Sequence, residues 1–173
     1  LIKIEDGGPV FYKQDRVGKD GRIFQALKFR SMRTDAEKDG PQQAFEDDPR
    51  VTRVGRILRA TAMDELPQLF NIFKGDMSFV GPRALRPNEK EVRGDPDRRD
   101  IQDIPGYRER HAVRPGLTGL TQVFLPGDTP RRDKFRYDLL YLRKRSFGFD
   151  LRLIFLSFWI TFRGKWESRQ SKI

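Results

Sequence analysis

The spacing of apolar residues divides the chain into recognisable elements. Between Leu66 and Phe73, the residues Leu66, Leu69, Phe70 and Phe73 recur at i, i+3, i+4 and i+7, the spacing of one helix face. Pro67 is tolerated in a first turn, where N–H groups have no helical partner, and Gly75 is placed to end the helix. The pattern therefore predicts a helix whose N-terminus carries the adjacent acids Asp64 and Glu65. Upstream, Val10 to Arg16 and Arg22 to Met32 read as extended runs on either side of the turn Gly18-Lys19-Asp20-Gly21, which predicts a β-hairpin. In its second run Leu27 and Phe29 alternate with Lys28 and Arg30, so period 2 puts the two cations on one face.

Two further stretches are amphipathic or nearly all apolar. In Arg50 to Arg59, Val51, Val54, Ile57 and Leu58 share one arc of a helical wheel, opposite Arg53, Arg56 and Arg59. Near the end, Leu151, Ile154, Phe155, Phe158, Trp159 and Phe162 follow helical spacing, and Leu153, Leu156 and Ile160 make most of the remaining surface apolar. Such a helix is buried in protein or meets lipid. Trp159, with Arg163, Lys165 and Trp166 beyond it, suits a membrane interface. The stretch from Phe135 to Lys144 is also helical in character. Thr34 to Pro49 reads as a surface loop. The charged stretch after Arg83, with the turn Gly94-Asp95-Pro96, reads as a loop or short polar helix. Ile104 to Pro130, dense in Pro and Gly, reads as turns that line pockets.

Composition narrows the partners. The 173 residues carry a formal net charge of +10, which favours anionic partners: nucleic acid, acidic lipid or phosphorylated substrates. With 14 Phe and 2 Trp the chain has enough apolar bulk for one folded domain. The absence of cysteine excludes disulfides, a thiolate nucleophile and thiolate metal sites. No apolar run reaches the ~18 residues that a spanning helix needs. His111 is the only histidine, has no partner for a zinc site, and reads as structural.

The stretch Thr61 to Arg83 concentrates the candidate chemistry. An Asp-Glu pair opening a helix is ordinarily a capping device, since free N–H groups there favour negative charge. The same end favours phosphate, and Asp76 and Arg83 return in the loop GDMSFVGPR. What distinguishes these readings is the longer pattern. DELPQLFN and KGDMSFVGPR, preceded by KFRSM and DPRVTRVGRILR and followed by RPGLTGLTQV, resemble the bacterial sugar transferase family, the monotopic polyprenyl-phosphate phosphoglycosyl transferases. The resemblance runs from about Gly8 to about Lys165. One departure is GPRAL, where the family commonly has a second Pro after Arg83.

That resemblance implies a single catalytic domain over residues 1–173, following a membrane-embedded segment. Its fold would be α/β (α+β): compact and helix-rich, with a small N-terminal β-hairpin or sheet and surface amphipathic helices at the membrane interface. It implies transfer of a sugar-1-phosphate from a nucleotide-diphosphate sugar, a UDP-sugar, to undecaprenyl or another polyprenyl phosphate. UMP would be released and glycan assembly initiated at the cytoplasmic face of the bacterial inner membrane. Asp64 would be the covalent residue and Glu65 its catalytic companion, both also near Mg²⁺. Phosphoryl transfer needs charge neutralisation, which Mg²⁺ and arginine normally supply. The candidate phosphate-binding residues are Lys28, Arg30, Arg59, Arg83 and Arg114, with Asp76 holding an arginine or the metal. Membrane lipids are expected partners, nucleic acid is not, and self-association is left open.

Two rival readings are a nucleic-acid-binding module and a membrane-surface scaffold without catalysis. The first needs a basic face with interleaved aromatic platforms, whereas the aromatics here cluster in apolar runs. The second predicts lipid binding indifferent to Asp64.

Overall fold

The computed structural model describes residues 1–38, 48–87, 89, 100–127 and 129–163. The expectations for Lys165, Trp166 and the Gly94-Asp95-Pro96 turn lie outside these residues, as does most of the Thr34 to Pro49 loop. The fold is mixed α/β, as the sequence predicts, and helices dominate it. Helix α1 (Ile2–Asp6) leads into strands β1 (Phe11–Val17) and β2 (Ile23–Phe29). These pair antiparallel, from Phe11 opposite Phe29 to Val17 opposite Ile23. Their connection is a 3₁₀ turn at Lys19–Gly21, with Asp20 in the left-handed region.

Helix α2 (Arg53–Ala60) starts where the sequence supplies acceptors for its free N–H groups. The Thr52 hydroxyl accepts from the Gly55 N–H at 2.9 Å. The Glu5 carboxylate accepts from the N–H groups of Arg53 and Val54 at 2.7 and 3.1 Å. Gly55 lies buried within this helix, where the helix packs on the backbone of Ser31. A Cβ there would lie 1.9 Å from the Ser31 carbonyl oxygen.

Helix α3 (Gln68–Lys74) ends at Gly75, whose φ of 89° is the left-handed conformation a helix C-terminus favours. It begins later than periodicity predicts. Met63–Glu65 form a 3₁₀ turn instead, entered through Ala62 in the left-handed region, and Pro67 occupies the position before the helix. Asp64 and Glu65 therefore sit on a tight turn ahead of α3, not in its first turn.

Short strands β3 (Ser78–Val80) and β4 (Gly116–Thr118) pair in parallel, and the pairing continues as a bridge between Arg83 and Gly116. A Cβ on Gly116 would lie 2.1 Å from the Gly81 nitrogen, so this approach requires glycine. The remaining helices are α4 (Tyr107–Arg110), α5 (Leu120–Phe124), α6 (Arg131–Lys144) and α7 (Phe147–Phe162). Val80, Leu120, Val123, Tyr141, Leu153 and Ile160 form the main core beneath this sheet. A second cluster joins Leu85, Ile101 and Phe135. Helix α7 buries Leu153, Ser157 and Ile160, while Phe155, Phe158, Trp159 and Phe162 remain exposed. It is thus neither a fully buried core helix nor a free one. Among the described residues no helix is long and apolar enough to cross a membrane.

Candidate active site

The hairpin, the acid turn and the loop after β3 converge on one cleft. Lys28 reaches it from β2, Glu65 from the turn, and Arg83 from the end of the loop that the Gly81–Gly116 contact holds in place. The Lys28 ammonium donates to Glu65 Oε1 at 2.5 Å and lies 4.0 Å from Asp64 Oδ2. Arg83 Nη2 is 3.7 Å from the same Glu65 oxygen. Burial alone would raise the Glu65 pKa, but Lys28 and Arg83 outweigh it and hold the carboxyl down at about 2. Glu65 is therefore a fixed anion that orders two cations. Asp64 stands beside them on the same turn, half-buried.

The other predicted residues are placed as follows. Arg59 lies in the last turn of α2 and is half-buried; that helix packs against the acid turn. The Asp76 carboxylate accepts from Asn71 Nδ2 at 3.3 Å and lies 3.7 Å from the Lys74 ammonium, so these contacts tie it to α3. Arg114 is exposed and lies against the end of α3, where a Cβ on Gly75 would come 3.6 Å from its Nη2. A cation there complements the carbonyl end of the helix.

Arg30 is not brought to the cleft. Strand β2 stops at Phe29, and the buried Arg30 side chain forms an ion pair with Asp6 of α1. It also donates to the carbonyls of Pro9 and Met32 at 2.6 and 3.2 Å. Period 2 placed Lys28 and Arg30 on one face, but Arg30 lies one residue past the strand, where Asp6 and the Pro9 and Met32 carbonyls hold its side chain. Arg30 instead fastens the N-terminal helix to the hairpin.

Sequence reasoning passed over residues that shape the site. Asn71 docks α3 on the hairpin: its Oδ1 accepts from Leu27 N–H at 3.0 Å and its Nδ2 donates to the Gln25 carbonyl at 2.8 Å. Arg110, almost fully buried, donates to Asp138 at 2.8 Å and to the Arg83 carbonyl at 2.6 Å, which fixes the loop carrying Arg83. Nothing in the sequence marks Arg110 out. Arg16 lines the cleft from β1, and the period-2 alignment of Tyr12, Gln14 and Arg16 was a signal available for it.

A magnesium site can be tested against this donor set. Among the described residues no group of three or more His, Asp or Glu side chains could hold a metal ion. Mg²⁺, however, commonly takes one or two carboxylates and completes its shell from water and substrate phosphates. Asp64 with Glu65 fits that partial set, with one Glu65 oxygen already held by Lys28.

The family model described as "Bacterial sugar transferase" matches residues 1–164, and the chain belongs to that family. It is 43% identical over 158 residues to the UDP-N-acetylgalactosamine-undecaprenyl-phosphate N-acetylgalactosaminephosphotransferase of Aeromonas hydrophila, covering 90% of this chain and 36% of that protein. It is 45% identical over 161 residues to the exopolysaccharide production protein PSS of Rhizobium leguminosarum bv. phaseoli, covering 90% and 78%. To the UDP-glucose:undecaprenyl-phosphate glucose-1-phosphate transferase of Klebsiella pneumoniae it is 44% identical over 163 residues, covering 90% and 33%. The chain thus spans about a third of the length of the first and last of these relatives.

Proposed function

We propose that this chain is the catalytic domain that moves a sugar-1-phosphate from a UDP-sugar to a polyprenyl phosphate. The observation that carries this reading is the meeting of Glu65, Lys28 and Arg83 at one cleft, with Asp64 4.0 Å from Lys28, in a family whose relatives are named as undecaprenyl-phosphate sugar-phosphate transferases. Donor and acceptor are both anionic, so direct attack starts against repulsion, and a carboxylate nucleophile divides the step. An Asp64 oxygen attacks the sugar-proximal phosphorus. The bridging P–O bond breaks and its electron pair leaves with UMP. An oxygen of the lipid phosphate then attacks the phosphosugar-aspartate, the acyl-phosphate bond breaks, and the Asp64 carboxylate is restored.

The protein's own groups divide the remaining work. Lys28, 4.0 Å from Asp64, offsets charge where the phosphorus must approach. Glu65 keeps Lys28 and Arg83 ordered. Asp64 and Glu65 are the residues that would hold Mg²⁺, which when bound supplies further neutralisation of the diphosphate. The exposed aromatic face of α7 supports a membrane surface as the place of reaction, and a nucleotide-sugar donor supports its cytoplasmic side.

The test is to incubate the full-length protein, in membranes, with UDP-sugar and Mg²⁺ but without lipid acceptor. One equivalent of UMP and one sugar-phosphate mass on the peptide containing Asp64 are expected, and both should vanish in Asp64→Asn. Label on another residue, or no UMP until lipid phosphate is added, overturns the two-step reading.

A further inference from the structure

The cleft contains a cation that the reaction as written does not use. Arg16 lines it together with Lys28 and Arg83, against Glu65 as the single carboxylate of the lining. Counting Asp64 beside Lys28 still leaves positive charge in excess. Unlike Arg30, Arg16 has no acid hydrogen-bonded to it among the described residues, although the nearby charges of Glu89 and Glu65 favour its charged form. Its Nη1 donates to the Ala84 carbonyl at 3.0 Å and its Nη2 to Gln14 Oε1 at 2.5 Å. Those neutral partners fix the guanidinium and leave further N–H donors for a ligand.

The fixation extends along β1. Gln14 Nε2 donates to the Tyr12 hydroxyl at 3.0 Å, and Tyr12 donates to Glu37 Oε2 at 2.6 Å. Tyr12, Gln14 and Arg16 alternate along the strand and so share one face, where a line of hydrogen bonds orders them. An arginine held in advance by neutral groups loses little freedom on binding an anion, and its planar fork matches phosphate oxygens.

We infer that Arg16 and Arg83 together form a phosphate clamp in this cleft, one that takes the phosphate leaving on the nucleotide. The assignment rests on the transfer reading above. Lys28 lies 4.0 Å from Asp64 Oδ2, where attack begins. Arg16 and Arg83 serve the other side, because an in-line displacement needs charge stabilised on the leaving oxygen as well as at the attacked phosphorus. Their mutual electrostatics agree. Withdrawal from water and the neighbouring Arg83 and Arg86 pull the Arg16 guanidinium down to about 10, still charged at neutral pH. An anion set between these arginines relieves that repulsion.

Binding tests this separately from turnover. Full-length protein in nanodiscs would be titrated with UMP and with inorganic pyrophosphate by calorimetry. Arg16→Gln can still donate a hydrogen bond to Ala84 or Gln14 but carries no charge. It should weaken both ligands at least tenfold, with an unchanged melting temperature and a shallower dependence of affinity on salt. Arg16→Lys should fall between wild type and Arg16→Gln. Lys19→Gln, on the exposed hairpin turn, should bind as wild type. Should Arg16→Gln fail to fold, Arg16→Lys decides the matter by the same titration. Affinities within twofold of wild type in the folded variants overturn the clamp, as does a wild-type protein that binds neither probe. If wild type binds UMP through Arg16 but never labels Asp64, the two-step route fails and the clamp stands. If Asp64 is labelled with the same donor dependence in Arg16→Gln, the clamp fails and transfer stands.

Discussion

Lys28 Nζ stands 2.5 Å from Glu65 Oε1, an ion pair with little of either side chain open to water. Such a pair contributes little net stability when whole, since desolvation offsets the attraction, but breaking it leaves a buried charge. Lys28→Met should therefore cost about 2–3 kcal/mol of stability. It should also lower the rate of Asp64 labelling more than tenfold. Chemical denaturation and quenched-flow labelling would check the two effects; an unchanged labelling rate would place Lys28 outside the chemistry. The pair also has a pH signature. An unfolded Glu65 carboxyl titrates near 4.5 and the folded one near 2, so the unfolded state binds more protons between those values. The stabilisation is complete above 4.5 and is lost as the pH falls towards 2.

Arg30 and Arg83 should behave oppositely. Arg30 is buried on Asp6 and on two carbonyls, so Arg30→Ala leaves several polar groups unsatisfied and should cost about 2–4 kcal/mol. Arg83 keeps 45% of its side chain exposed, and Arg83→Ala should change stability by less than about 1 kcal/mol. Its loss should instead lower donor use by about 10- to 100-fold, the effect of removing a charge-assisted phosphate contact. Thermal melts beside initial rates separate the two, and a destabilised Arg83→Ala with a normal rate would reverse the assignment.

How far the chain could be read is clearest at α3. The sequence showed the hairpin, helix α2 and the stop at Gly75. It did not show which face of α3 meets protein. Phe70 and Phe73 are exposed, whereas Gln68 and Asn71 are buried. Periodicity divides a helix into two faces but does not assign them. Here Asn71 faces inward because its amide completes backbone hydrogen bonds of β2, a tertiary demand absent from the local pattern. Arg30 is held away from the site for a related reason: Asp6 of α1 and the Pro9 and Met32 carbonyls take its guanidinium, tertiary contacts that the strand pattern does not contain. The deep position of Arg110 depends on which loops come together, and no local spacing encodes that.

His111 gives a second pH prediction. It is buried, with its Nδ1 against the Tyr107 carbonyl at 2.7 Å and its Nε2 3.2 Å from Arg110 Nη1. Burial and the Arg110 charge pull its pKa from 6.5 to about 4. Between those values the unfolded chain binds the proton and the folded chain does not, so this stabilisation is full above 6.5 and is lost as the pH falls to 4. The loss should reach about 3 kcal/mol. As the only histidine, His111 can be followed by NMR without assignment. A midpoint near 6.5 in the folded protein would refute the placement. Replacing His111 with Gln should flatten the stability curve between pH 6.5 and 4.5.

The two faces of α7 allow the sharpest separation of fold from location. Leu153 is fully buried in the main core, so Leu153→Ala should cost about 2–4 kcal/mol through lost apolar burial and a residual cavity. Phe155, Phe158 and Phe162 are 65%, 70% and 89% exposed and touch little that folding must preserve. Replacing all three with Ser should leave stability within about 1 kcal/mol. If this face lies in a membrane interface, the same triple variant should lose affinity for anionic vesicles, because apolar burial and attraction to acidic headgroups add in such binding. At ~25 cal/mol per Å² of apolar surface, even partial insertion of three Phe rings is worth a few kcal/mol, a loss of tenfold or more in partitioning. Vesicle flotation of this fragment at low and high salt would measure it. Equal flotation of the triple variant and wild type would move the membrane contact elsewhere. A collapse in the triple variant's melting temperature would instead show that this face is covered by protein.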